Sequence, residues 1–171
     1  MASGNTLFIL EPLGGTPPAT LYATLDVIAD SSTPAASVPV LDFDGSQDEH
    51  MDWWLTVPSY YADGGLTFSY KYAMDDTDGS AVELEFRCLP LADSDDISSD
   101  LGIDEQTPAV LADDPIDTAD DLNVTTTVGL SHANAGSPSV GDRIVIRVTR
   151  DYDHTANAND LQLLEVLVVE T

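Results

Sequence analysis

Two stretches of strict two-residue alternation constrain this chain more than any other feature. Leu66 to Met74 reads Leu-Thr-Phe-Ser-Tyr-Lys-Tyr-Ala-Met, with Leu66, Phe68, Tyr70 and Tyr72 on one face. From Ala81 to Leu91, Val82, Leu84, Phe86 and Cys88 alternate with Glu83, Glu85 and Arg87. Successive side chains of a strand point to opposite faces, so this period marks half-buried strands. Similar short runs occur at Thr6 to Leu10, Thr20 to Ile28, Val38 to Phe43, His50 to Val57, Asn123 to Leu130, Arg143 to Thr149 and Leu161 to Val169. Clusters of Pro, Gly, Asp and Ser separate them. These connections are too short for the amphipathic helices that a parallel α/β sheet requires. The pattern predicts an all-β, antiparallel sandwich or jelly roll of about eight strands. It forms one domain over residues 1–171.

Between Ala92 and Asp121 the alternation dissolves, leaving a long acidic connection over residues 93–121. Stretches of this length are usually functional or partly helical, and a short helical turn is predicted near Asp100 to Val110. In Arg143 to Arg150, Ile144, Ile146 and Val148 form an apolar inward row. The arginines of that run are expected to project outward or into an edge network.

The charge narrows the function. Against 31 acidic residues stand 5 basic ones, for a net charge of -26. No basic stripe is available to displace counterions from phosphates, which argues against nucleic acid, and the same deficit argues against anionic lipid. No apolar run approaches a membrane span. The first residues lack the positive start and apolar stretch of a signal peptide, so synthesis in the cytoplasm without membrane insertion is expected. The acid excess reads first as a solvated surface in a saline setting. A basic partner or divalent cations are the alternatives.

Candidate chemistry is sparse. His50, His132 and His154 lie beside polar, turn-like residues without a second ligand at zinc-motif spacing. Cys88 is the only cysteine, reads as a small buried hydrophobe and leaves no disulfide framework. No nucleophile elbow or phosphate-binding loop occurs, and carboxylates are too abundant for any one pair to be informative. The expectation is a binding or structural protein without catalysis. No cofactor is expected, with Ca²⁺ as the candidate if one binds, because hard cations take several oxygen ligands. The acidic clusters are Asp42, Asp44, Asp48 and Glu49; Asp75, Asp76 and Asp78; Asp93, Asp95 and Asp96; and Asp113, Asp114 and Asp117. Asp42-Phe43-Asp44-Gly45 resembles the start of a calcium loop, but its glycine falls too early for an EF-hand. Turns alone also account for such clusters.

Aromatic residues supply the candidate interface: Trp53, Trp54, Tyr60 and Tyr61. Adjacent tryptophans on a strand face opposite ways, so one is expected in the core and the other at the surface. Exposed Trp and Tyr could stack on sugar rings or anchor a subunit contact. Asn123-Val124-Thr125 fits a glycosylation sequon, relevant only to a secreted chain.

The order of segments carries a resemblance. A Gly-Asn-Thr-Leu opening leads to a Pro-Pro-Ala turn and then to Pro39-Val40-Leu41-Asp42-Phe43-Asp44. Val57-Pro58-Ser59-Tyr60-Tyr61, Gly64-Gly65-Leu66-Thr67, Gly141-Asp142-Arg143 to Arg150-Asp151 and a final Leu-x-x-Val-x-Val strand follow. This arrangement resembles the small jelly-roll decoration, or cement, proteins of tailed phages and related viruses. The resemblance covers the chain outside Asp93 to Asp121. It implies a homo-oligomer, often a trimer, clamped on the major capsid protein at the outer surface of the virion, with no catalytic residues. The alternative is a carbohydrate-binding jelly-roll module on a virion or cell surface.

Overall fold

The computed structural model describes residues 4–76, 79–97, 101–116, 118–153 and 157–171. Eleven strands run through the described residues: β1 (Thr6–Leu10), β2 (Thr24–Ala29), β3 (Ser37–Phe43), β4 (Glu49–Thr56), β5 (Leu66–Met74), β6 (Val82–Leu91), β7 (Ala109–Asp113), β8 (Asn123–Val124), β9 (Val128–Leu130), β10 (Arg143–Arg150) and β11 (Leu161–Glu170). The first sheet has the order β2-β3-β11-β5-β8, and the second β4-β10-β6-β7. All named pairings are antiparallel, and the two sheets form a β-sandwich of the jelly-roll kind.

One edge of β11 serves two strands. Its start pairs with β3 over Leu161 to Leu163 and its end pairs with β1 over Val166 to Val169. A register shift between Leu163 and Glu165 separates the two segments, as an inserted residue in a bulge does. The opposite edge of β5 is likewise split, between β9 at Leu66 to Phe68 and β8 at Lys71 and Tyr72. Asn123 to Leu130 is therefore two strands rather than the single one expected. Thr125 bridges the gap: its amide donates to Tyr70 O at 3.1 Å, and its hydroxyl accepts from Tyr70 N at 2.9 Å.

The alternating faces meet in the middle. Phe68 of β5 stacks on Phe86 of β6 with centroids 4.8 Å apart, joining the sheets at their centre. Leu41, Phe43, Tyr70, Leu84, Ile146, Val148, Leu161 and Val168 close around that pair. Cys88 is buried, and burial pushes its thiol up to about 12.

The structure narrows two expectations about local structure. The helical turn near Asp100 to Val110 is a 3-10 turn confined to Ile103–Glu105, and Ala109–Asp113 pairs with β6 as β7. Only Ala109 and Leu111 of that strand face inward and are buried, too few for a periodic signal. β2 begins at Thr24 rather than Thr20, because Leu21 has φ 52°, which breaks an extended run.

Arg150 departs furthest from expectation. It shares the parity of Ile144, Ile146 and Val148 and points inward, where it is fully buried. Its Nη1 donates to Phe43 O at 2.8 Å and its Nη2 to Asn157 O at 3.0 Å. Asn157 in turn donates from Nδ2 to Ser80 O at 2.9 Å. The guanidinium thus ties together the loops after β3, β5 and β10 at one end of the sandwich. Burial lowers its pKa, and Asp160, Asp44, Asp75 and Glu49 oppose that effect.

Replacing Arg150 by Ala strands two buried carbonyls, at about 1–3 kcal/mol each. The variant is expected to lose about 3 kcal/mol of stability, read as a lower urea midpoint with an unchanged slope.

Candidate functional site

The outer face of the second sheet is laid out in rungs by the registers of β4, β10 and β6. Trp54, Val145 and Leu89 form one rung; Asp52, Arg147 and Arg87 the next; His50, Thr149 and Glu85 the third. Arg147 grips Asp52 with two hydrogen bonds, Nε to Oδ1 at 2.7 Å and Nη2 to Oδ2 at 2.8 Å. Two parallel contacts of this kind fix both planes. The Asp52 contact, first, and then Asp104 hold the guanidinium above its ordinary pKa.

The acidic connection crosses this face. Ile103 is buried, Asp104 Oδ1 accepts from Arg147 Nη1 at 2.7 Å, and Gln106 O accepts from Arg87 Nε at 3.2 Å. Residues 101–106 are therefore a strap seated on the sheet. It walls a surface cavity of about 250 Å³ lined by Asp52, Trp54, Leu101, Ile103, Asp104, Val145 and Arg147.

The adjacent tryptophans divide as the alternation requires. Trp53 is 2% exposed and its Nε1 donates to Glu11 O at 3.0 Å. Trp54 faces the cavity, half-buried, and its Nε1 has no protein partner among the described residues. An indole that packs in the core and one that presents a free N–H beside a cavity have different uses.

The other expected interface residues also separate. Tyr61 is buried; its hydroxyl donates to Gly64 O and lies 3.0 Å from His132 Nδ1. Burial pushes this phenol up to about 12. Tyr60 is exposed, and its hydroxyl donates to Thr6 O at 2.9 Å. Trp53 and Tyr61 are thus packed inside the domain, while Trp54 is half-buried and Tyr60 exposed. His50 lies in β4, as the His50 to Val57 run predicts: its Nδ1 is 2.9 Å from Thr149 Oγ1, and burial followed by Arg147 lowers its pKa. His154 lies outside the described residues.

The acidic clusters serve the loops. Gly45 sits so close to Ala158 that a Cβ would fall 2.1 Å from its carbonyl oxygen, and its N–H donates to Asp160 Oδ1 at 2.8 Å. Glycine in Asp42-Phe43-Asp44-Gly45 therefore permits a close loop contact. Asp44 accepts from Ser46 N and Oγ, Asp95 from Ala92 N, Asp113 from Tyr72 Oη, and Asp75 from Asp160 N. Among the described residues no group of three or more His, Cys, Asp or Glu could hold a metal ion. Asp78 and Asp117 lie outside those residues.

The cavity joins residues that sequence reasoning did not connect. Asp52 and Trp54 share a face by parity, and Arg147 was expected to point outward or into an edge network. Asp104 was invisible as a partner, since 43 positions separate it from Arg147.

No family model matches this chain, and no curated protein matches it. Among solved structures, the chain is similar to the xylan-binding domain CBM22-1 of Paenibacillus barcinonensis Xyn10C, at 12% identity and TM-score 0.47, with 99% of this chain and 97% of that one covered. It is also similar to the module CBM6cm-2 of Cellvibrio mixtus lichenase 5A, in complex with cellotriose, at 12% identity and TM-score 0.46, covering 98% and 99%. The module CBM27-1 of Caldicellulosiruptor saccharolyticus, in complex with mannohexaose, gives 7% identity and TM-score 0.45, covering 95% and 96%. Likenesses this loose say nothing about ligands.

One carboxyl on the first sheet has a measurable consequence. Asp42 pairs in register with Gln162, and its Oδ1 and Gln162 Oε1 are both buried without a partner. Burial, then Asp160, Asp26, Asp75 and Glu49, raises Asp42 to about 6. A folded-state pKa above the unfolded one means that the folded chain holds the proton more tightly. The contribution is complete below the unfolded pKa and is lost as pH rises through about 6. Asp42→Asn is expected to remove that pH dependence and to raise the urea midpoint at neutral pH.

Proposed function

We propose that this protein is a carbohydrate-binding module that holds a glycan against the outer face of the second sheet, without catalysing a reaction on it. Trp54 carries the reading: a half-buried indole with a free N–H, set in a cavity beside a guanidinium and two carboxylates. Aromatic faces pack against the C–H faces of sugar rings, and a few fixed polar groups take the hydroxyls. Asp52 and Arg147, on neighbouring strands, hold Asp104 of the strap in place, and the exposed Asp104 carboxylate supplies such a group.

A second reading keeps the adhesive role on a capsid shell. It is favoured by large apolar side chains exposed on or beside the first sheet, including Ile9, Leu13, Leu122 and Val124. Its test is whether the protein co-purifies with virions, and absence from purified particles ends it.

Affinity electrophoresis through gels containing soluble polysaccharides tests the glycan reading. At least one polysaccharide is expected to retard the protein, with Trp54→Ala weakening binding about tenfold or more. Retardation that survives this substitution, or none with any polysaccharide, overturns it.

A further inference from the structure

The charge arrangement around Trp54 selects among glycans. We propose that the preferred ligand is a cationic glycan, a polymer of amino sugars bearing free ammonium groups. This ligand class presupposes the glycan site proposed above.

Inside the cavity, one guanidinium faces two carboxylates. Arg147 is satisfied on both sides, by Asp52 through two contacts and by Asp104 through one. Both oxygens of Asp52 are committed to it. Asp104 is not spent: its side chain is 71% exposed, and only Oδ1 contacts the arginine. Oδ2 has no protein partner among the described residues, and Asp104 lines the same cavity as Trp54. A carboxylate oxygen is an acceptor only, and it bonds most strongly to a charged donor. The indole face attracts the same kind of group, because the ring quadrupole is negative above its plane. An ammonium on a sugar ring stacked against Trp54 would meet both at once.

The rest of the molecule points the same way. A chain of net charge -26 attracts a polycation and repels uronic acid or sulfated polymers. One exposed cation, Arg143, stands one rung nearer the strand end than Val145, and the excess of acid over the whole chain outweighs it. Neighbouring Arg87 is already paired with Glu85.

Calorimetric titration of the whole protein with glucosamine hexamer, at mildly acidic pH and low salt, tests the proposal against the N-acetylated hexamer and against neutral xylo- and cello-hexaose. The amine form is expected to bind about tenfold more tightly than its acetylated counterpart, and the gap should narrow in about molar salt. Trp54→Ala and Asp104→Asn should each weaken it about tenfold, whereas Asp121→Asn, an equal loss of charge in an exposed loop, should not. Equal affinity for acetylated and free-amine hexamers overturns the charge preference and leaves the glycan site standing. Binding that ignores Trp54→Ala and Asp104→Asn assigns the attraction to the acidic surface at large and also overturns it. If no oligosaccharide of any charge binds, both the preference and the glycan site fall.

Discussion

Burying the Arg150 guanidinium is the constraint around which one end of the sandwich is built. A charged group removed from water must recover its hydrogen bonds within the protein. Here two backbone carbonyls, from Phe43 and Asn157, take the two terminal nitrogens, while the buried Nε has no hydrogen-bond partner among the described residues. One carbonyl ends β3 and the other lies in the loop after β10, so the arginine's demand for partners becomes a demand that the two converge. Asp44, Glu49, Asp75 and Asp160 act on it electrostatically, so members of two of the acidic clusters face a cation that the chain itself supplies.

The same strand sets the opposite face. Arg147, three residues before Arg150, points outward and is clasped by Asp52 and Asp104. One arginine therefore organises the loops inside and the other anchors the strap outside. With only 5 basic residues in the chain, two of the three on β10 carry much of the electrostatic order of the fold. The strap matters because it turns a flat sheet face into a cavity. Without Ile103 and Asp104 held in place, Trp54 would stand on an open surface, and an open aromatic selects little.

Acid excess then acts at two ranges. At long range it is a field that repels like-charged polymers and other copies of the chain. At short range it raises the proton affinity of a crowded carboxyl such as Asp42, where burial and like charge push in the same direction. Tyr70 and Tyr72 carry their hydroxyls deep into the sandwich, where Leu111 O and Asp113 Oδ2 accept them.

Much of the fold was legible in the order of residues, for a physical reason. Alternation is local: a half-buried strand must place apolar groups at every second position, and β5, β6, β10 and β11 do so across most of their lengths. The assignment of Trp53 and Trp54 to opposite faces follows from the same rule, and so would the inward aim of Arg150 have done. Tertiary structure alone decided the rest. β7 has too few inward residues to carry a period and exists because β6 offers it an edge. The pairing of Asp104 with Arg147 spans 43 positions, and a contact between polar residues so far apart leaves no periodic trace. Sequence sets which face each side chain takes; folding decides which distant residues share that face, and the cavity around Trp54 is a product of the second.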